Sequence, residues 1–346
     1  MKAMQLTGIR EMEMVDVPDP EIRNDNDVLV KMLSIGVCGS DIHYYVSGKI
    51  GSQTVEYPFT VGHEGAGRVV ETGRAVTHVK PGDRVAVEPA MPCWECDQCK
   101  AGRHHTCRKL RFLGCPKQAQ GCLSECIVMP ETSCIKISDT VSMVEAALSE
   151  PLAIGVYAVK QSIPMTGAKI GVLGAGPIGF SVFMPALSMG APKAYVTDKI
   201  DARLELAQKA GASWTGNPDT SDIVSGILSA EPLGLDAVFD CCGDQEALDQ
   251  AIEILKPGGK LMIIGIPEFD RFSFPVDKLR HKEICIQNVR RQCDCVQSAL
   301  DMIENKDFDV NVMATHHFGF EETKEAFDLV ADYKDGVLKA MIEFSG

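Results

Sequence analysis

A chain of 346 residues, 45% hydrophobic and 24% charged, is long enough for two domains and apolar enough to bury a core in each. Its formal net charge of −14 excludes the basic surface that nucleic acid or an anionic membrane would require. The N-terminal MKAMQLTGIREMEMVD has no apolar core or cleavage site of a secretory signal, which predicts the cytoplasm, where the fourteen cysteines are expected to bind metal or pack as small hydrophobes rather than pair.

Up to about residue 150 the chain carries short β-type runs broken by turn residues: DVLVKMLSIGVCG, GRVVETG, DRVAVEP and SECIVMP. They predict an irregular, mainly antiparallel β domain. Within it, Gly36-Val37-Cys38-Gly39-Ser40-Asp41-Ile42-His43 and Gly62-His63-Glu64-Gly65 present a thiol, an imidazole and a carboxylate beside glycines. These are competent zinc ligands, and three of them leave a position open for water or substrate. Further on, Cys93, Cys96, Cys99 and Cys107 follow the spacing C-x2-C-x2-C-x7-C, four soft donors for a closed tetrahedral site. A redox CxxC pair is the rival, and two further thiols at metal spacing argue against it. His104 and His105 read as exposed bystanders. Cys126, Cys134, Cys285, the pair Cys241-Cys242, and Cys293 with Cys295 read as core packing.

From about residue 152 strands and helices alternate, the pattern of a doubly wound parallel sheet. AKIGVLGAG is a buried strand entering a glycine turn. KAYVTD and LDAVFDCCG are further strands, ARLELAQKAGA is a helix ended by Gly211, QEALDQAIEILKPGG is a second helix, and KLMIIG is a strand. Ile170 to Ala191 is uncharged and long enough for a membrane helix, but five glycines, two prolines and the strand–turn–helix order exclude that reading. Gly174-Ala175-Gly176-Pro177-Ile178-Gly179 follows a strand and opens a helix, the setting in which such a turn holds a dinucleotide pyrophosphate. Asp198, nineteen residues past Gly179, ends the next strand, where a carboxylate binds ribose hydroxyls and repels a 2′-phosphate, so NAD is expected over NADP. Lys199 and Arg203 would serve a 2′-phosphate if that expectation failed. Pro185 should kink the cofactor helix. After about residue 290, SALDMIE and ETKEAFDLVADY predict helices and IEF a closing strand, a tail that completes the first domain. The expected domains are a catalytic one over 1–152, completed by 290–346, and a nucleotide-binding one over 153–289.

In this order, SIGVCGSDIHYYVSGKIG, GHEGAGRVVETGRAV, the four-cysteine lobe, LSEPLAIGVYAV, GAGPIGF and NVRRQCDC resemble the zinc-containing medium-chain dehydrogenase/reductase family along essentially the whole chain, and within it the polyol dehydrogenases. The resemblance implies an α/β protein: a GroES-like, mainly β catalytic domain joined to a Rossmann domain, with two zinc ions per chain and NAD. It implies a catalytic zinc at Cys38, His63 and Glu64, with Glu150 binding it directly or through water, and a structural zinc in the cysteine lobe. It implies that Asp41 orients His63, that Ser40 and His43 relay a proton, and that Arg203 joins Gly174, Gly176, Pro177, Ile178, Gly179 and Asp198 around the cofactor. Tyr44, Phe112, Glu150 and Arg291 would line the substrate pocket. Gln292 stands where polyol relatives have an aromatic, which points to a substrate of different length or with a polar substituent. The activity implied is oxidation of a secondary hydroxyl of a polyol to a ketose by a homodimer or homotetramer. The alternatives are a threonine or vicinal-diol dehydrogenase, or a non-catalytic relative, which the intact ligand sets disfavour.

Overall fold

The computed structural model describes residues 1–345, which divide into two compact units. The first comprises Met1–Glu150, Ala299–Asn305 and 313–345; the second comprises Pro151–Ser298 and Lys306–Val312.

A seven-stranded sheet organises the first unit. Its strands run Cys134–Lys136, Arg84–Val87, Glu64–Thr72, Asp27–Gly36, Lys339–Glu343 and Ala314–Gly319, and Cys126–Pro130 also pairs with Asp27–Gly36. Pairing is antiparallel except between the last two strands of that path. Asp27–Gly36 buries Val28, Val30 and Met32 and exposes Lys31, the alternation expected of a pleated strand with one face in a core. That core holds Leu6, Met32, Ile35, Tyr45, Phe59, Phe327 and Ile342, each such side chain contributing roughly 1.5–3 kcal/mol of burial. Register then positions the chemistry: Gly36 lies opposite Glu64 on one side and Met341 on the other. Cys38 follows two residues later and starts the helix Gly39–Ser47.

The second unit is built on six parallel strands in the spatial order Trp214–Gly216, Lys193–Thr197, Lys169–Leu173, Leu235–Asp240, Leu255–Ile263 and Cys285–Asn288. In sequence terms the order is third, second, first, fourth, fifth, sixth, so the strand order reverses between Lys169–Leu173 and Leu235–Asp240. Ligands of such sheets bind at the carboxyl ends of the strands at that reversal. Leu173, Tyr195, Ile227, Val238, Leu248 and Leu261 form its core.

Some elements depart from expectation. The helix Gln245–Ile254 stops before KPGG, and the strand starts at Leu255, because Pro257 has no N–H to give a helix. A nineteen-residue helix, Met143–Gln161, runs through SEPLAIGVYAV with Pro151 inside it. The cofactor helix Pro177–Ser188 continues three residues past Pro185. Several cysteines read as core are not core. Cys285 is exposed because its strand is the edge of the parallel sheet, and Cys242 is exposed in the turn after Leu235–Asp240. Cys126, Cys241 and Cys293 are half-buried, whereas Cys134 and Cys295 are buried. Among the described residues, no helix is long and apolar enough to cross a membrane.

Candidate metal and dinucleotide sites

The ligand atoms of Cys38, His63 and Glu64 lie within 4.8 Å of one another. Cys38 caps the helix Gly39–Ser47, and His63 and Glu64 stand at the start of the strand Glu64–Thr72. His63 and Glu64 are buried. The ring of His63 meets Asp41 through Nδ1, 3.3 Å from Oδ1, which leaves Nε2 as the metal-facing nitrogen. Asp41 also accepts from the Gly62 N–H at 3.3 Å. Glu150 lies outside the 4.8 Å cluster, yet it is buried and feels the charges of both His63 and Glu64; its Oε2 has no hydrogen-bond partner.

The electrostatics call for a cation. Burial, reinforced by Glu64, pushes the Cys38 thiol up. Burial pushes the Glu150 carboxyl up to about 8, with His63 opposing and Glu64 adding to the effect. Burial works against charge on His63, but Asp41 and Cys38 lift its imidazole well above the ordinary histidine range. A thiol, an imidazole and two carboxyl groups crowded out of water, with one carboxylate oxygen unpartnered, suit a divalent ion of zinc's ligand preferences. Sequence reasoning missed one participant. Lys339, 1% exposed, places its ammonium 2.5 Å from Glu64 Oε2. Its one sequence signal is a lysine inside the apolar run VLKAMI.

Around this cluster, Ser40 donates its hydroxyl to the Cys38 sulfur at 3.3 Å, and half-buried His43 lies one turn along the same helix. The Phe112 ring packs 5.4 Å from that of His63. The Tyr44 hydroxyl, one turn beyond Ser40, donates to Gln53 Oε1 at 3.3 Å and lies 3.8 Å from the Cys115 sulfur. Gln53 and Cys115 are neighbours that the motifs did not indicate.

The cysteine lobe is a second, separate cluster. The sulfurs of Cys93, Cys96, Cys99 and Cys107 also lie within 4.8 Å of one another. Separations of 3.6 Å (Cys96–Cys99), 3.9 Å (Cys96–Cys107) and 3.5 Å (Cys93–Cys107) far exceed a disulfide's roughly 2.05 Å. They bracket the ~3.8 Å expected between sulfurs arranged tetrahedrally on zinc. N–H groups of Cys99 and Arg108 pull the Cys96 thiol down to about 6, while burial pushes Cys99 up to about 12. His105, in the short turn His104–Thr106, is buried rather than exposed, and His104 packs on Trp94 with ring centroids 4.4 Å apart.

In the second unit the glycine turn sits at the strand-order reversal. Gly174 has φ +101°, and a Cβ on Gly179 would come within 2.0 Å of the Gly174 carbonyl oxygen, so the helix can lie this close only without one. Gly176 caps the helix Pro177–Ser188, with Pro177 in its first turn and Ile178 beside it, leaving the N-terminal N–H groups for phosphate. Asp198 accepts from the Ala175 N–H at 2.7 Å through one oxygen and from Ile200 N–H at 2.8 Å through the other, so it braces the turn. Buried Arg203 reaches the same turn, its Nη1 3.9 Å from a Cβ built on Gly176. Lys199 leans instead toward Asp244, at 3.7 Å. Arg291 also belongs to this unit, half-buried and in the left-handed region at φ +52°. Gln292 is buried, and its Oε1 closes the local turn by accepting from the Cys295 N–H at 2.8 Å, which gives it a structural task.

Residues 24–139 match the model of the alcohol dehydrogenase GroES-like domain, and residues 177–305 that of zinc-binding dehydrogenases. The sorbitol dehydrogenase of Bacillus subtilis (strain 168) is 34% identical over 343 residues, covering 99% of this chain and 97% of that protein. D-xylulose reductase A of Aspergillus oryzae is 34% identical over 331 residues, 93% of this chain and 91% of the relative. Among solved structures, an Escherichia coli oxidoreductase of unknown specificity superposes with a TM-score of 0.94 at 30% identity, covering 100% of this chain and 99% of its own.

Proposed function

The chain belongs to the zinc-binding alcohol dehydrogenase family, and we propose that it oxidises a secondary hydroxyl of a polyol to a ketone and passes the hydride to NAD. The observation that carries this reading is the buried cluster of Cys38, His63 and Glu64 with the unpartnered acid Glu150 beside it, in a chain similar along its length to a sorbitol dehydrogenase and a xylulose reductase.

Cys38, His63 and Glu64, with Glu150 behind them, would hold the catalytic zinc; Cys93, Cys96, Cys99 and Cys107 would hold a structural one. Bound zinc supplies Lewis acidity, which lets a substrate hydroxyl give up its proton near neutral pH. Asp41 holds His63 in the tautomer that faces the ion. Ser40, whose hydroxyl can rotate away from the Cys38 sulfur, takes the substrate proton, and His43 passes it to solvent. Phe112 gives the pocket an apolar wall, and Tyr44 offers a donor that replaces water a polyol leaves behind; the family resemblance implies a further donor role for Arg291. The glycine turn and the Pro177–Ser188 N-terminus hold the pyrophosphate, and Asp198 selects the unphosphorylated ribose of NAD. Lys199 leans to Asp244, which leaves it less free to serve a 2′-phosphate. Family resemblance supports a homodimer or homotetramer.

A panel of polyols, phosphorylated polyols, threonine and vicinal diols, each with NAD and with NADP, tests the reading through the appearance of reduced cofactor. A polyol with NAD should give the highest kcat/KM. Preference for threonine or a diol would overturn the substrate class, and preference for NADP would overturn the role of Asp198. Arg291→Ala should lower kcat/KM for the polyol ~10–100-fold while barely touching 2-butanol.

A further inference from the structure

Lys339 opens the strand Lys339–Glu343, inside the apolar sequence Val337-Leu338-Lys339-Ala340-Met341, and is 1% exposed. Placing an ammonium there is costly unless it is paired, and even a well-made buried ion pair is often no more stabilising than apolar side chains of the same size. Stability alone therefore does not explain a lysine here. Its Nζ contacts are specific: Glu64 Oε2 at 2.5 Å and the carbonyl of Val37, the residue before Cys38, at 3.1 Å. Gly36 leaves room for the same oxygen, because a Cβ there would lie 2.2 Å from Oε2. One carboxylate oxygen thus sits over Gly36, held by the ammonium. Cys38, Asp41, Glu64 and Glu150 bring up to four negative charges to this place, and Lys339 brings a fixed positive one against Glu64.

We propose that Lys339 is a positioning residue of the buried metal centre, holding Glu64 by one oxygen and offsetting one negative charge of the ligand set, so that the divalent ion is gripped less tightly and stays more electrophilic. Fewer effective negative donors leave an ion a stronger Lewis acid. The inference rests on the metal-site reading above and deepens it.

The test is the rate at which holoenzyme loses its buried metal to an excess of chelator, together with the visible absorption of cobalt placed in that centre. Zinc content of the unmodified protein is measured first: one ion per chain instead of two would sink the site reading itself, and this inference with it. With two ions present, Lys339→Met should release the buried ion roughly tenfold more slowly and shift the cobalt bands, while Lys339→Arg, which keeps the charge, should stay within about twofold of wild type. A purely structural lysine predicts the opposite sign, faster release from Lys339→Met. Because Lys339→Met strands a buried carboxylate and can fail to fold, a second comparison stands beside it. Glu64→Gln leaves the ammonium facing the ion and should speed release; Glu64→Gln combined with Lys339→Met removes both charges and should slow it again. Replacing both partners by neutral groups of similar shape is close to neutral for folding. A double variant that releases metal faster than Glu64→Gln alone, or that does not fold, overturns the proposal.

Discussion

The first unit carries two clusters that could hold a metal ion, and they differ in almost every physical respect. The cysteine lobe draws four identical soft donors from one stretch of fifteen residues, Cys93 to Cys107, with Cys93 and Cys96 half-buried. Surface ion pairs such as Lys109–Glu95 at 2.6 Å and Arg108–Asp97 at 2.5 Å surround it. The other cluster mixes sulfur, nitrogen and oxygen from residues 38, 63 and 64, with residue 150 nearby on a helix and residue 339 reaching Glu64 from a strand two places away in the sheet. A complete set of four equivalent ligands leaves nothing for substrate and can only hold a loop together. Three unlike ligands, beside an acid whose oxygen lacks a partner, leave room for chemistry. The difference teaches that a structural site can be local, whereas a reactive one is assembled by the whole fold.

The contrast can be broken by removing one ligand from each cluster. His63→Ala should lower turnover by about 10³-fold or more, since the ion's several kcal/mol of charge stabilisation goes with it, while circular dichroism remains that of a folded protein. Cys99→Ser should act the other way round. It should lower the melting temperature and the yield of soluble protein, because a structural zinc contributes directly to folding, yet kcat of the surviving folded protein should stay within about twofold of wild type.

A gentler change sharpens it. Asp41→Asn removes the charge that orients His63 without removing a ligand, and chelator competition should show metal affinity at the buried centre reduced by ~10–100-fold, with the lobe's ion retained.

The smallest expected effect concerns pH in zinc-stripped protein. Burial raises the Glu150 carboxyl from an ordinary 4.5 to about 8, so the fold favours its protonated form. That contribution to stability is fully present below pH ~4.5 and is lost as pH rises through about 8. Melting temperatures of the stripped protein should therefore decline across this window, and Glu150→Gln, which cannot ionise, should flatten the decline. An unchanged slope in that variant would place the effect elsewhere.

The same contrast marks what could be read from the sequence. The lobe was legible because its ligands are neighbours along the chain. The glycine turn was legible because its strand, turn and helix are contiguous, and the parallel sheet follows from the alternation around it. The buried centre was legible only in part: Cys38, His63 and Glu64 carry glycine-framed motifs, but Lys339 meets Glu64 from a strand on the far side of Asp27–Gly36, 275 residues away along the chain, which no local pattern reports. The helix Met143–Gln161 carries Pro151 in its interior, where a proline ordinarily ends or kinks a helix, so local propensity does not announce it. Cysteine type predicted burial poorly, since Cys242 and Cys285 face outward owing to a turn and a sheet edge that composition cannot place.

The most direct test of the division of labour between the two clusters is a zinc count by elemental analysis on the wild-type protein, His63→Ala and Cys99→Ser, with turnover measured on the same samples. Two ions per chain in the wild type and one in each variant, with turnover lost only in His63→Ala, is the predicted result. A single ion in undamaged wild-type protein, or folded Cys99→Ser protein that has lost turnover as completely as His63→Ala, would contradict it.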